Sequence, residues 1–125
     1  MSDTANVVNA LKPFEMKVIR AMASYLLSAD ALDALTNPSE PIHYRYSGSG
    51  YFVTIRDPRL PIKRLTLSVP PLVGKSDDTV SGFVVFIGGG ELMLECHSWG
   101  YINVPADFRE RDVIVREPLP GDFGV

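Results

Sequence analysis

Glu95, Cys96 and His97 stand consecutively in "GGGELMLECHSWGY", residues 88–101, an acid, a thiol and an imidazole in one short run. Together such groups could supply a nucleophile with its base, or ligands for a metal. Two further stretches hold residues that could cradle a phosphate, Gly74-Lys75-Ser76 in "LVGKSDD" and the triplet Gly88-Gly89-Gly90. Each reading depends on which way the side chains point. That is decided by the elements carrying them.

Residues 91–99 alternate in the manner of a β-strand, so adjacent side chains face opposite sides. Cys96 then shares a face with Leu92 and Leu94, while Glu95 and His97 share the other with Met93 and Trp99. Adjacency therefore does not make Cys96 and His97 a nucleophile and base, and Cys96 reads as a small core residue. Glu95 and His97, two residues apart, have Cα atoms separated by about 6.6 Å, which is neither a default hydrogen bond nor a chelate. The chain has two histidines, His43 and His97, and neither the HxH nor the HExxH pattern, so no metal, catalytic residue or cofactor is assigned. Gly74-Lys75-Ser76 has Val69 where a phosphate loop requires its first glycine, and Asp77 and Asp78 follow where a helix should begin. The glycine triplet leads into a strand and reads as a hairpin turn.

The elements around these residues change period once. Phe14, Val18, Ile19, Met22, Ala23, Tyr25 and Leu26 recur at helical spacing, with Glu15, Lys17, Arg20 and Ser24 assigned to the opposite side and Pro13 in the first turn. Ser28 suits the N-cap of a second short helix through Leu35, with Leu27 placed against Leu32 as a hydrophobic staple. From Pro41 the period becomes 2. Residues 42–46 and 51–56 form a hairpin about Gly48-Ser49, pairing Tyr46 with Tyr51 and Tyr44 with Val53, and leaving Arg45 beside Phe52. Further strands are expected at Lys63–Val69, Gly82–Ile87, Glu91–Trp99 and Val113–Arg116, with a polar loop over 72–80 and a helical turn over Pro105–Glu110. The expected architecture is α+β, an N-terminal helix and a short second one on one face of a five- to six-stranded, mostly antiparallel sheet. It is one domain over 1–125, with residues 1–12 and 118–125 peripheral and the tail extended.

Register decides the composition of the two faces. A two-residue Gly89-Gly90 turn sets Phe83, Val85 and Ile87 beside Cys96, Leu94 and Leu92 against the helix. Val84, Phe86, Met93 and Trp99 then share the second face with Glu95 and His97, joined from other strands by Arg45, His43 and Arg64. Either that face stands open to a partner, or Val104, Phe108, Val113 and Val115 fold over it. The charge run Asp107, Arg109, Glu110, Arg111 and Asp112 reads as a solvated turn with local ion pairs.

Composition narrows the class. The chain has 125 residues, 46% hydrophobic and 22% charged, and carries a net charge of −3. This is the balance of a globular protein, without the summed basic charge that a sequence-independent grip on nucleic acid requires. Residues 42–65 hold five basic residues against Asp57, and residues 91–125 hold seven acids against three arginines, a polarity expected to be neutralised between neighbouring strands. One cysteine excludes an internal disulfide and fits a reducing cytoplasm. The start of the chain lacks a basic stretch followed by an apolar core, and the longest apolar run, Phe83–Ile87, is too short to span a bilayer, so neither a signal peptide nor a membrane role is expected.

The order of a helix, "SGSGYFVTI", "SGFVVFIGGGELMLECHSWG" and the charged "VPADFRERDV" resembles small uncharacterised bacterial single-domain proteins, some of them similar to immunity proteins encoded beside secreted toxins. The resemblance spans residues 11–116 in layout and carries no diagnostic motif and no functional residue. It implies a non-catalytic role in which a rigid surface holds another protein. The expected function is thus a non-enzymatic protein-binding domain, with the immunity type as the form the resemblance implies, Trp99, Phe86, Met93, Glu95, His97 and Arg45 as its surface and another protein or a second copy as its partner. The alternatives are a small-ligand binder or weak hydrolase using Glu95 and His97, and a structural or assembly subunit.

Overall fold

A computed structural model of the chain describes residues 7–123. It contains two α-helices on a mostly antiparallel sheet of eight strands, the α+β class that the sequence predicts with more strands than expected. Helix α1 spans Pro13–Ala23, and α2 spans Ala29–Thr36. Pro13 opens α1, and Glu15 reaches back to the Lys12 backbone N–H, filling one of the donors a helix start leaves unpaired. Ser28 Oγ accepts from the Ala31 N–H at 3.1 Å and caps α2.

The strands are β1 (Val7–Val8), β2 (Ile42–Tyr46), β3 (Tyr51–Arg56), β4 (Leu65–Leu67), β5 (Val73–Ser76), β6 (Thr79–Gly88), β7 (Glu91–Ser98) and β8 (Ile114–Arg116). Their spatial order is β1-β2-β3-β7-β6-β5-β8, with β4 also paired to β6. The long β6 divides its second edge, Val85–Ile87 pairing with β4 and Thr79–Gly82 with β5. Pro70 and Pro71 lie between β4 and β5, and without N–H groups they cannot carry a ladder past the middle of β6.

Both hairpin registers agree with the pattern read from sequence. Tyr46 pairs with Tyr51 and Tyr44 with Val53, and Phe83, Val85 and Ile87 pair with Cys96, Leu94 and Leu92. Gly89 and Gly90 form the turn with φ of 61° and 78°, the left-handed values that a two-residue hairpin loop demands. The apolar face so assembled meets Val18, Ile19, Met22, Ala23, Ala31 and Leu35 of the helices in the main core. Phe14 stands edge-on to Phe108, with ring centroids 5.9 Å apart.

Several expectations are corrected. Residues 72–80 are not a polar loop but β5, a turn and the start of β6, with Asp77 at φ 53°. Glu15 does not lie opposite the core but is fully buried, whereas Tyr25, placed on the apolar side, is 76% exposed. The 3-10 turn Ser24–Leu26 ends the helical periodicity before Tyr25 can reach the core. The charge run is not wholly solvated, since Arg109 is buried, although Arg111 and Asp107 do form a local pair at 3.2 Å. The chain after Pro118 is not simply extended, because Pro120–Phe123 form a 3-10 turn that Arg116 and Asp122 hold together. Of the segments expected to be peripheral, residues 1–6 and 124–125 lie outside the described residues. No helix among the described residues is long and apolar enough to cross a membrane.

Candidate partner-binding face

Cys96 is completely buried and pairs across the ladders with Tyr51 and Phe83, on the helix side of the sheet. Burial pushes its thiol pKa up to about 12. His97 and His43 belong to the opposite face, so neither imidazole can serve as a base for this sulfur. Among the described residues no group of three His, Cys, Asp or Glu is placed to hold a metal ion.

The face away from the helices is built in rows by strand register. One row runs Val7, His43, Thr54, Met93, Phe86, Thr66 across β1, β2, β3, β7, β6 and β4. The next runs Arg45, Phe52, Glu95, Val84 across β2, β3, β7 and β6. A third pairs His97 with Gly82, and a fourth sets Arg56 against Glu91, joined by a salt bridge of 2.5 Å. Five of the six residues singled out from sequence thus share one register-defined face. Trp99, just beyond β7, joins them by laying its ring over Gly82.

The glycine is what permits that arrangement. A Cβ on Gly82 would fall 2.4 Å from His97 Cε1 and 2.6 Å from Trp99 Cε3, so the two rings occupy the space a side chain would fill. Their centroids lie 6.4 Å apart. His97 Nδ1 is 3.2 Å from the Ser98 carbonyl oxygen, a hydrogen bond when that nitrogen carries the proton.

Phe52, Val84, Phe86 and Met93 remain partly exposed and lie outside the main core cluster. The question of what covers them is answered in part by the C-terminal segment, since Val104, Phe108 and Val115 are buried in the core with Phe14 and do not fold over this face. Arg45 rests its guanidinium 5.4 Å from the centre of the Phe52 ring, a cation–π contact. Glu95, between Phe52 and Val84, makes no hydrogen bond or salt bridge among the described residues. Phe52 was legible as the hairpin partner of Arg45. Val7 was not, because two residues of strand within an irregular segment leave no periodicity to read.

Grooves elsewhere have other linings. One of about 790 Å³ lies between Lys75–Asp77 and Glu110–Ile114, and another of about 520 Å³ between Val7–Lys12 and Arg109–Glu110. Neither is walled by Glu95 or His97. Arg64, expected near this face, lies at its margin with its side chain against Gly88.

Comparison of the chain with protein-family models, curated proteins and solved structures finds no match.

Proposed function

We propose that the chain is a non-enzymatic binding protein whose outer sheet face receives another protein. The observation that carries this reading is the band of Phe52, Val84, Phe86 and Met93, partly exposed on the face turned away from the helices and bordered by Arg45 and by Glu95, which has no salt-bridge partner among the described residues. Apolar and aromatic surface supplies the anchor of an interface, and charges at its border fix orientation. The layout resemblance to immunity-type proteins points the same way, to a rigid surface holding one partner. No cofactor, nucleic acid or membrane enters this reading, and no residue is assigned a catalytic role.

The test compares proteins retained from the native host by the wild-type chain, by a Phe86→Ser/Met93→Ser variant and by Tyr25→Ser, which alters an exposed side chain on the helical side. A partner kept by wild type and Tyr25→Ser but lost by the double variant supports the outer face. A partner that all three chains retain equally, with the double variant shown to be folded, removes it.

A further inference from the structure

The two central rows of the outer face are complementary to themselves. In one, Arg45 and Glu95 stand on the strands either side of Phe52, each about 5 Å from it, and neither forms a salt bridge among the described residues. In the other, Thr54 is flanked by His43 and Met93, and beyond these by Val7 and Phe86. A twofold axis running along β3 in the plane of contact exchanges the two ends of each row.

We propose that this face binds a second copy of the chain about that axis, an inference that rests on the reading of the face as a protein-binding surface. Phe52 then meets its own counterpart at the axis. Arg45 of each protomer lies over Glu95 of the other, supplying a cation that the carboxylate does not have among the described residues. Val7, which is 49% exposed, covers Phe86 of the other copy. Because the axis runs along the strands, the two sheets stack with their strands nearly aligned, the common geometry of face-to-face sheets about 10 Å apart. A twofold interface must be self-complementary, and opposite charges placed symmetrically about an apolar centre meet that requirement.

Five strands at about 4.8 Å spacing and some six residues of strand length cover roughly 500 Å² per protomer. This is below the ~800 Å² per partner of a standard stable interface, so the expected dimer is weak, with a dissociation constant in the micromolar range.

The experiment is sedimentation equilibrium of the full chain from about 5 µM to about 500 µM, a range that brackets such an affinity. Wild type should pass from monomer to dimer. Arg45→Glu and Glu95→Arg should each weaken dimerisation by about tenfold or more, and the double reversal should recover most of the loss because the pair is restored with its sign exchanged. Circular dichroism and melting curves establish that each variant is folded; Arg45→Ala and Glu95→Gln, which remove charge without reversing it, give the same reading if a reversal unfolds the chain. A monomer throughout the range overturns the proposal, as does a dimer whose dissociation constant is indifferent to these changes. Either result leaves the host-capture comparison to judge the face on its own, so the loss of the dimer and the loss of the binding reading are told apart.

Discussion

Glu15 and Arg109, 94 residues apart in the chain, form a two-pronged ion pair in which Arg109 Nε and Nη2 donate to the carboxylate at 2.7 and 2.8 Å, with almost no exposure to solvent. The Tyr51 hydroxyl donates to the same carboxylate at 2.6 Å and the Lys12 backbone N–H at 2.8 Å, while Arg109 also donates to the Ala10 carbonyl at 2.9 Å. Burial, and then the Glu15 charge, push the Tyr51 phenol far above its ordinary pKa, so it remains a donor. Helix α1, β3 and the 3-10 turn Phe108–Glu110 are thereby joined at one point.

Removing one member leaves the other charged and buried. Arg109→Ala or Glu15→Ala should each cost about 3–5 kcal/mol in urea unfolding. The paired change Glu15→Leu/Arg109→Met should cost clearly less than the sum of the two single losses, because no uncompensated charge remains. Additive losses would show that the two residues act independently. Tyr51→Phe, which removes a single hydrogen bond to a charged acceptor, should cost about 1.5–3 kcal/mol.

Asp57 and Asp122 make stability sensitive to acid. Asp57 receives the Arg59 side chain at 2.8 Å through both Nε and Nη2 and the Ser39 N–H at 3.0 Å, and these contacts, Arg59 foremost, hold its pKa well below the ordinary carboxylate range. Arg116 foremost, and then the Leu119 N–H, bring Asp122 down to about 2. A depressed folded-state pKa means that the contribution is complete above the unfolded value, about 4, and is lost as pH falls toward the folded value. The wild-type melting temperature should therefore fall between about pH 4 and pH 2, and Asp122→Asn should start lower at pH 7 and fall less over that interval. Parallel curves for the two proteins would count against the assignment.

The register of the sheet was legible because side-chain parity on β7 and the glycine turn leave few ways to gather Leu92, Leu94, Cys96, Phe83, Val85 and Ile87 on one side. The role of Glu15 was hidden by its charge. Yet Glu15, Ile19 and Met22 fall at i, i+4 and i+7, one stripe of the helix, and an acid on such a stripe signals a buried counter-charge. The position of Arg109 could not be read, since long-range pairing leaves no periodicity. Residues 72–80 read as a polar loop, but Asp77-Asp78 suits a two-residue turn, with Asp77 at φ 53°, and is available as a hairpin signal. The candidate face followed directly from parity, whereas Val7 and the burial of Phe108 and Val115 on the helix side depend on how distant segments return to the sheet.

Cys96 should be inert in the folded chain. With its pKa raised to about 12, its thiolate fraction at pH 8 is about a ten-thousandth, roughly three orders of magnitude below that of a free cysteine. Reaction with an aromatic disulfide reagent should therefore wait on unfolding, and its rate should rise with urea in step with the loss of structure. Rapid labelling of the native chain would mean that the thiol is accessible and that the buried reading is wrong.

Gly82 and Gly50 permit close approach in different ways, and alanine at each should separate the face from the fold. At Gly82 the nearest atoms belong to the His97 and Trp99 side chains, which can swing aside, so Gly82→Ala should cost about 1–3 kcal/mol and alter tryptophan fluorescence while the chain stays folded. At Gly50 a Cβ would lie 2.2 Å from the Cys96 carbonyl oxygen, a backbone atom held in the central ladder. It cannot move without parting β3 from β7, so Gly50→Ala should cost about 4 kcal/mol or more. Trp99→Ala should weaken association at the outer face and leave the monomer folded, because the ring lies across Gly82 on the side away from the core. If Trp99→Ala unfolds the chain as severely as Gly50→Ala, the tryptophan belongs to the fold and must be struck from the binding surface.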